Sequence, residues 1–502
     1  MGEADPQLHF LFVSFPGQGH VNPLLRLAKR VAAKGPLVTF STTVDFGCRI
    51  RAAAASSRFP FPADSADSGD SHLIPVGRGF LRFEFFHDGG DPNDPNRANL
   101  DSLMTRLQSN GPPAVAALIR RQSAAGRPVS CLVNNPFVPW FLDVAGDLGI
   151  PGAVLWVQSA AVFSTYFHYH HRLAVFPTDE IPDVTVSLPG IPPLAPGDLP
   201  TFLLPRNPYV TLTKVILAQF HNLSKARWVL ANSFEELERD TFKALADCSP
   251  IVPVGPLVDA GETGENSLIK ADIWKAEDHC LEWLDRHEPC SVVYVSVGSV
   301  VMLTTGEMAE LASGLRNSGR PFLWVVRENL RELLPVGFEE AISEEGRGLV
   351  VGWSPQEKVL AHEALGCFVT HCGWNSTLEV LAAGVPVVAY PQWGDQVPDA
   401  KFLCEFYGVG VRLPSPAKRE EVERCVSAVT EGPEAENMRK RAAEWKAVAR
   451  AAVASGGSSD RNIAKFVDDV RQFAANGGND PAFDESAADS IACQLCFEVR
   501  ST

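Results

Sequence analysis

The chain has 502 residues, 45% of them hydrophobic and 21% charged, with 44 Lys plus Arg against 60 Asp plus Glu and a formal charge of −16. That length suits two to four domains, each able to bury a core without disulfide or metal staples, and the composition excludes disorder and collagen. An acidic chain with no dense Lys/Arg cluster repels a phosphate backbone, so no nucleic-acid partner is expected, although local anion sites stay open.

In chain order, MGEADPQ gives way to an apolar run from Leu8 to Phe15 that lacks a basic leader and ends in Pro16-Gly17. It reads as a first strand, not a signal peptide. Further short β-branched runs follow at Leu37–Ser41, Ser130–Asn134 and Ala153–Val157, then at Val292–Val297, Phe322–Arg327, Leu349–Gly352, Cys367–Thr370 and Val385–Ala389. Helical patterns separate them, which predicts βαβ units, parallel sheets and an α/β fold. A Pro/Gly-rich stretch beginning at Pro250 sets the expected boundaries: an N-terminal domain over 1–250, a linker over 251–270 and a second domain over 271–475, its last helix able to return to the first domain. Residues 51–71 and the tail 476–502 read as unpacked, the tail as disordered. The eleven cysteines are scattered and read as reduced thiols; Cys493 and Cys496 form a single CxxC without a second half. No run supplies the roughly 18 apolar residues of a membrane span, so a cytoplasmic protein without membrane insertion, and a monomer, is expected.

Each half contains a strand that ends in a Gly-containing turn and feeds a helix: FLFVSFPGQGHVNPLLRLAKRV in the first, CFVTHCGWNSTLEVLAAG in the second. Two such domains facing each other place their ligands in a shared cleft. In the second device, His371, Cys372 and Gly373 form the turn, Asn375 or Ser376 is expected to cap the helix, and the first-turn N–H groups make a phosphate cradle. Glu379 shares a helix face with Asn375 and Ser376 and suits ribose hydroxyls. Trp353, at the end of a preceding strand, offers a flat surface for a base.

The segment from Trp353 to Gln396, WSPQEKVLAHEALGCFVTHCGWNSTLEVLAAGVPVVAYPQWGDQ, resembles the signature box of plant family 1 UDP-sugar-dependent glycosyltransferases, and the resemblance runs from about Leu8 to Phe473. It implies a GT-B fold of two Rossmann-like domains facing a cleft. It also implies that Trp353 stacks on uracil with Gln356 beside it, that Glu379 holds the ribose, and that His371, Asn375, Ser376 and the Gly373 turn bind the diphosphate. Ser299, in VSVGS, matches a further phosphate contact; Trp374, Asp395 and Gln396 hold the sugar. Gln396 points to glucose, so UDP-glucose is the expected donor substrate, with no separate cofactor. No Asp-x-Asp tripeptide occurs, and metal-independent catalysis is expected.

On the acceptor side, His20 in GQGHVNP precedes an expected helix with Asn22 as N-cap, Pro23 in its first turn and Gly35 past its end, and it matches the family's catalytic base. Asn135, in CLVNNPFVPW, stands where that family most often carries an Asp. An amide oxygen can fix the imidazole tautomer but cannot stabilise an imidazolium. A carboxylic acid acceptor, already ionised, needs no base. This, with the likeness of FEFFHDG, CLVNNPFVPW and WVQS to glucosyltransferases that make glucose esters, points to 1-O-acyl-β-glucose formation from hydroxycinnamic, benzoic or indole carboxylic acids. Gln158, in WVQS, matches a position near sugar or acceptor. Phe85, Phe86, Phe137 and Trp140 are candidate pocket walls. The competing readings are glucosylation of phenolic hydroxyls such as those of flavonoids and, from another class, a non-catalytic nucleotide-sugar-binding protein.

Overall fold

The computed structural model describes residues 8–54, 73–91, 99–259, 279–298 and 301–476. Ser299, the CxxC at Cys493 and Cys496, residues 477–502 of the expected tail, 260–270 of the expected linker and most of the Ala/Ser/Asp-rich stretch lie outside the described residues.

The first sheet comprises β1 (His9–Val13), β2 (Leu37–Ser41), β3 (Ile74–Val76), β4 (Gly79–Phe83), β5 (Cys131–Asn134) and β6 (Gly152–Trp156). A small pair, β7 (Val186–Leu188) and β8 (Ile191–Leu194), stands apart, and β9 (Ala226–Ala231) and β10 (Ile251–Pro253) complete the large sheet in the order β10-β9-β6-β5-β1-β2-β4-β3. All its pairings are parallel except β3 with β4. Every residue of β1, β2, β5 and β6 is buried, as expected of strands covered on both faces. The linker expected from residue 251 therefore begins later, because Ile251–Pro253 still pairs in register with Val229–Ala231.

The second sheet is wholly parallel: β11 (Val292–Ser296), β12 (Phe322–Val325), β13 (Gly348–Val351), β14 (Leu365–Thr370), β15 (Val387–Ala389) and β16 (Gly410–Arg412), in the order β13-β12-β11-β14-β15-β16. Helix Ala435–Val453 packs on helix Trp374–Ala383 in this half, and the chain then returns. The last helix, Ser458–Ala475, buries Ile463, Phe466, Val467 and Val470 against Phe10, Leu24 and Trp228 of the first half. No described helix is long and apolar enough to cross a membrane.

In an open parallel sheet, ligands sit where the strand order reverses. In the first sheet that point lies between β1 and β5, with Val13 beside Asn134. In the second it lies between β11 and β14, with Ser296 beside Thr370. The segments leaving these four strands carry His20, Pro136, Gly298 and His371, which line one cavity between the halves.

Candidate active site

The chain leaves β1 through Phe15-Pro16-Gly17, and helix Gln18–Ala33 begins at once with Gly17, extended at φ −141° and ψ 137°, as its N-cap. Asn22 and Pro23, expected at the helix start, lie inside it. Gly17 is closely packed at this start: a Cβ there would meet the Phe15 ring at 3.2 Å and the His20 ring at 3.4 Å. Pro23 has no N–H to give the carbonyl four residues back, so Gly19 O is left without its helical bond. Asn375 Nδ2, from the facing domain, donates to that oxygen at 2.9 Å.

His20 sits in the first turn with its ring 5.1 Å from Phe15 and 4.3 Å from Phe137, centroid to centroid. It keeps a little surface in the cleft but is enclosed by protein, and burial pushes its pKa down to about 4, so the ring is neutral at physiological pH. Its Nδ1 is sealed and has no hydrogen-bond partner. Asn135 is fully buried and its amide is close enough to act on the His20 ring. Asn135 Oδ1 accepts from the Phe137 backbone N–H at 3.0 Å and keeps a second lone pair, its Nδ2 has no partner, and its side chain pulls the His20 pKa up against the effect of burial.

Across the cleft, the turn after β14 forces Cys372 to φ +65°, and Gly373 is the N-cap of helix Trp374–Ala383. Asn375 and Ser376 thus lie in the first turn and are not caps, and the helix N-terminus that the expected phosphate cradle would use begins at Gly373. His371 is held between two glycines: a Cβ on Gly298 would come within 2.7 Å of its ring, and one on Gly373 within 2.5 Å of its Nε2. Burial lowers its pKa to about 4, so the neutral ring offers a hydrogen bond, not a charge.

The residues expected at the nucleoside form a connected set. Tyr294 donates to Gln356 Oε1 at 3.1 Å, and Gln356 Nε2 reaches Ser376 Oγ at 3.1 Å and Glu379 Oε2 at 2.7 Å. Trp353 follows β13 and lines the cavity. Burial and the neighbouring Glu357 charge push the Glu379 pKa up, while Arg26 opposes them. Arg26, which the sequence reading missed, comes from the His20 helix. Its guanidinium donates to Leu257 O at 3.0 Å and to Asp259 at 3.2 Å, pairs with Glu357, and stands 3.8 Å from Glu379. The signal was an Arg on the apolar stripe of an otherwise buried helix, but nothing nearby in sequence named its partners.

At the sugar end, Trp374 differs from expectation. Its indole N–H donates to Asn232 O of the first domain at 2.6 Å and only 3% of the residue is exposed, so this side chain joins the domains and its one donor is unavailable to a sugar. Gln396 Oε1 accepts from the backbone N–H groups of Gln392 at 3.0 Å and Trp393 at 3.3 Å, which leaves its amide N–H for a hydroxyl. Burial raises the Asp395 pKa to about 6, against the pull of the Gln158 amide from the other domain. Beyond His20 the cavity is walled by Phe137, Phe202, Leu212, Ile216 and Trp393, with Gln219 as a polar member. Phe86 and Trp140 instead pack against Phe141, and Phe85 lies under Arg51. Among the described residues, no group of three or more His, Cys, Asp or Glu is placed to hold a metal ion. The cavity totals about 530 Å³, within the range of small-molecule sites.

Two parallel-sheet domains whose strand-order reversals face one cleft, with a strand–glycine–helix turn in the second and a cleft-facing histidine in the first, define a glycosyltransferase of GT-B architecture. The chain belongs to the UDP-glycosyltransferase family: the family model described as "UDP-glucoronosyl and UDP-glucosyl transferase" matches residues 276–440. It is 48% identical over 476 residues to a gallate 1-beta-glucosyltransferase of Quercus robur, covering 92% of this chain and 90% of that one. It is 44% identical over 481 residues to a cinnamate beta-D-glucosyltransferase of Fragaria ananassa, covering 93% and 84%. The crystal structure of Os79 from O. sativa in complex with UDP superposes with a TM-score of 0.78 at 33% identity, covering 92% of this chain and all of that one.

Proposed function

We propose that this enzyme is an inverting UDP-glucose-dependent glucosyltransferase whose acceptor is the carboxylate of a small aromatic acid, giving a 1-O-acyl-β-glucose ester. The observation that carries the reading is Asn135 beside His20: the base position has no carboxylate to stabilise an imidazolium, and the ring is held neutral by burial. The names of the gallate and cinnamate relatives support the acceptor class.

A phenol must lose a proton as it attacks; an aromatic carboxylic acid, with a pKa of about 4, has already lost it at neutral pH. The carboxylate oxygen brings its lone pair to the anomeric carbon from the first-domain side. The bond from that carbon to the β-phosphate oxygen breaks, and its electron pair leaves with UDP. Attack opposite the leaving group inverts the α-linked donor to a β-product. In this proposal Trp353, Gln356 and Glu379 hold the nucleoside, the first turn at Gly373, Asn375 and Ser376 with His371 receives the charge growing on the diphosphate, and Asp395 and Gln396 hold the glucose. Ser299 is assigned to the diphosphate by resemblance alone, and Gln158, opposite Asp395, to the sugar.

The test is a panel of hydroxycinnamic, hydroxybenzoic and indole carboxylic acids and flavonoids, with UDP release followed and each product treated with mild alkali. Acids should be the preferred acceptors and their glucosides should be cleaved. A hydroxycinnamate glucoside that survives alkali carries its sugar on the phenol and refutes the reading.

A further inference from the structure

Asp395 and Gln396 belong to the second domain, yet the segment that carries them is fastened to the first on both sides of the pair. Immediately before it, the Gly394 N–H donates to Thr201 Oγ1 at 2.7 Å. Gly394 sits at φ +67°, which suits glycine, and a Cβ there would stand 2.9 Å from the Phe202 ring. Just after the pair, Ser159 Oγ donates to Asp399 Oδ1 at 3.2 Å, and Lys401 Nζ pairs with Asp198 at 2.9 Å. Asp399 is fully buried one helical turn past Asp395, and its N–H bonds to Asp395 O at 3.1 Å. The Ser159 anchor is itself fixed. Its Oγ accepts from the Val162 N–H at 3.2 Å as the cap of helix Ala160–His170, which leaves its own hydrogen for Asp399. The Glu238 carboxylate takes the next two N–H groups, of Ala160 and Ala161, at 2.9 Å each, and the Ser159 carbonyl accepts the Trp156 indole N–H at 3.0 Å. Ser159 also follows Gln158, which lines the cavity with Asp395 and Gln396.

We propose that Ser159 and Thr201 are positioning residues for the transferred sugar: through Asp399 and Gly394 they lock Asp395 and Gln396 to the acceptor domain, so that the hexose is held in register with the oxygen that attacks it. The inference rests on the assignment of Asp395 and Gln396 to glucose and deepens it. The contacts made by Ser159 and Thr201 involve none of Trp353, Gln356, His371, Ser376 or Glu379, so the grip on the sugar is separable from the grip on UDP. Register matters because a displacement of about 1 Å at the reacting carbon is costly to a displacement reaction.

The experiment measures the affinities of UDP and UDP-glucose by calorimetry in the full-length enzyme and in Thr201→Val and Ser159→Ala. UDP affinity, which also reports that each variant is folded, should change less than about twofold, while the ratio of UDP-glucose to UDP affinity should fall about three- to tenfold, the size of one hydrogen bond to the sugar. Thr201→Ser and Ser159→Thr, which keep the hydroxyl, should keep the ratio. A merely structural role would lower both affinities together, and that result overturns the inference, as does a ratio unmoved in both Thr201→Val and Ser159→Ala. Gln396→Ala separates the inference from the reading beneath it. If Gln396→Ala lowers the ratio while Thr201→Val and Ser159→Ala preserve it, only the positioning role falls. If Gln396→Ala leaves the ratio intact, the assignment of the pair to glucose falls and takes the inference with it.

Discussion

His371 occupies a slot that side chains at positions 298 and 373 would close. Gly373 has φ −60° and ψ 145°, which any residue can adopt, so Gly373→Ala tests the slot without straining the backbone. Its new methyl would stand 2.5 Å from the imidazole and drive the ring out of the diphosphate position. We expect kcat/KM for UDP-glucose to fall at least about tenfold, a loss of about 1.4 kcal/mol, with UDP affinity measured by calorimetry falling in step. Asp395 makes a different prediction. Sugar hydroxyls donate best to an ionised carboxylate, and burial has raised this one to about 6. Below that pH the group is protonated and loses acceptor capacity; above it the full capacity is present. The affinity gained on going from UDP to UDP-glucose should therefore increase between pH 5 and pH 7, and Asp395→Asn should flatten the dependence. At this scale, the spacing from Trp353 to Gln396 pointed to residues that the fold brings to the lining of one cavity. The partners of individual side chains were not legible: the Trp374 indole N–H donates to Asn232 O and the Asn135 oxygen accepts from the Phe137 N–H, partners that no local pattern announces.

At the scale of elements, the nine strands read from β-branched runs all form, because strands buried on both faces write a continuous apolar signal. The short strands β3, β4, β7, β8, β10 and β16 carry only three to five residues each and wrote none, and the six-residue inner strand β9 was missed as well. Helix starts were the other loss. Both site helices begin at a glycine, while the nearby Asn22, Asn375 and Ser376 are stronger capping types and drew the expected start inward. Pro23, which suits a first turn, lies a turn deeper and there releases Gly19 O to Asn375. Pro23→Ala restores an N–H that competes for that oxygen and removes a poor helix former, which costs about 3 kcal/mol in a helix interior. The expected outcome is an unusual pairing, a higher melting temperature together with a several-fold lower kcat/KM for UDP-glucose, read by thermal denaturation and steady-state kinetics.

For the whole molecule, the two-domain plan was legible because the same strand–turn–helix device occurs twice. How the halves grip each other was not, since it depends on pairs far apart in the chain: Ser159 with Asp399, Thr201 with Gly394, Asp198 with Lys401, and Arg26 with its carboxylates. Arg26 is the most consequential. Its replacement by Met keeps the apolar stem but leaves Asp259, Glu357 and Glu379 facing one another with Lys29 as the remaining cation of the group, paired to Asp259 at 3.2 Å. Removing one partner from such a buried set costs about 3–5 kcal/mol. Arg26→Met should show that loss in denaturant unfolding, and a raised KM for UDP-glucose should accompany it because the ribose carboxylate loses its cation.

The chain passes between the domains twice, once after Pro253 and again before Ser458, and the two passages are bound side by side. Ser459 Oγ donates to Gly255 O, Asn462 Nδ2 to Pro253 O at 2.8 Å, and Arg30 to Pro256 O at 3.0 Å. A single thread would let one half swivel on the other; a doubled and stitched one behaves like the spine of a book. A hinge there would part the halves along the opposite edge, which gives the cleft a front and a back.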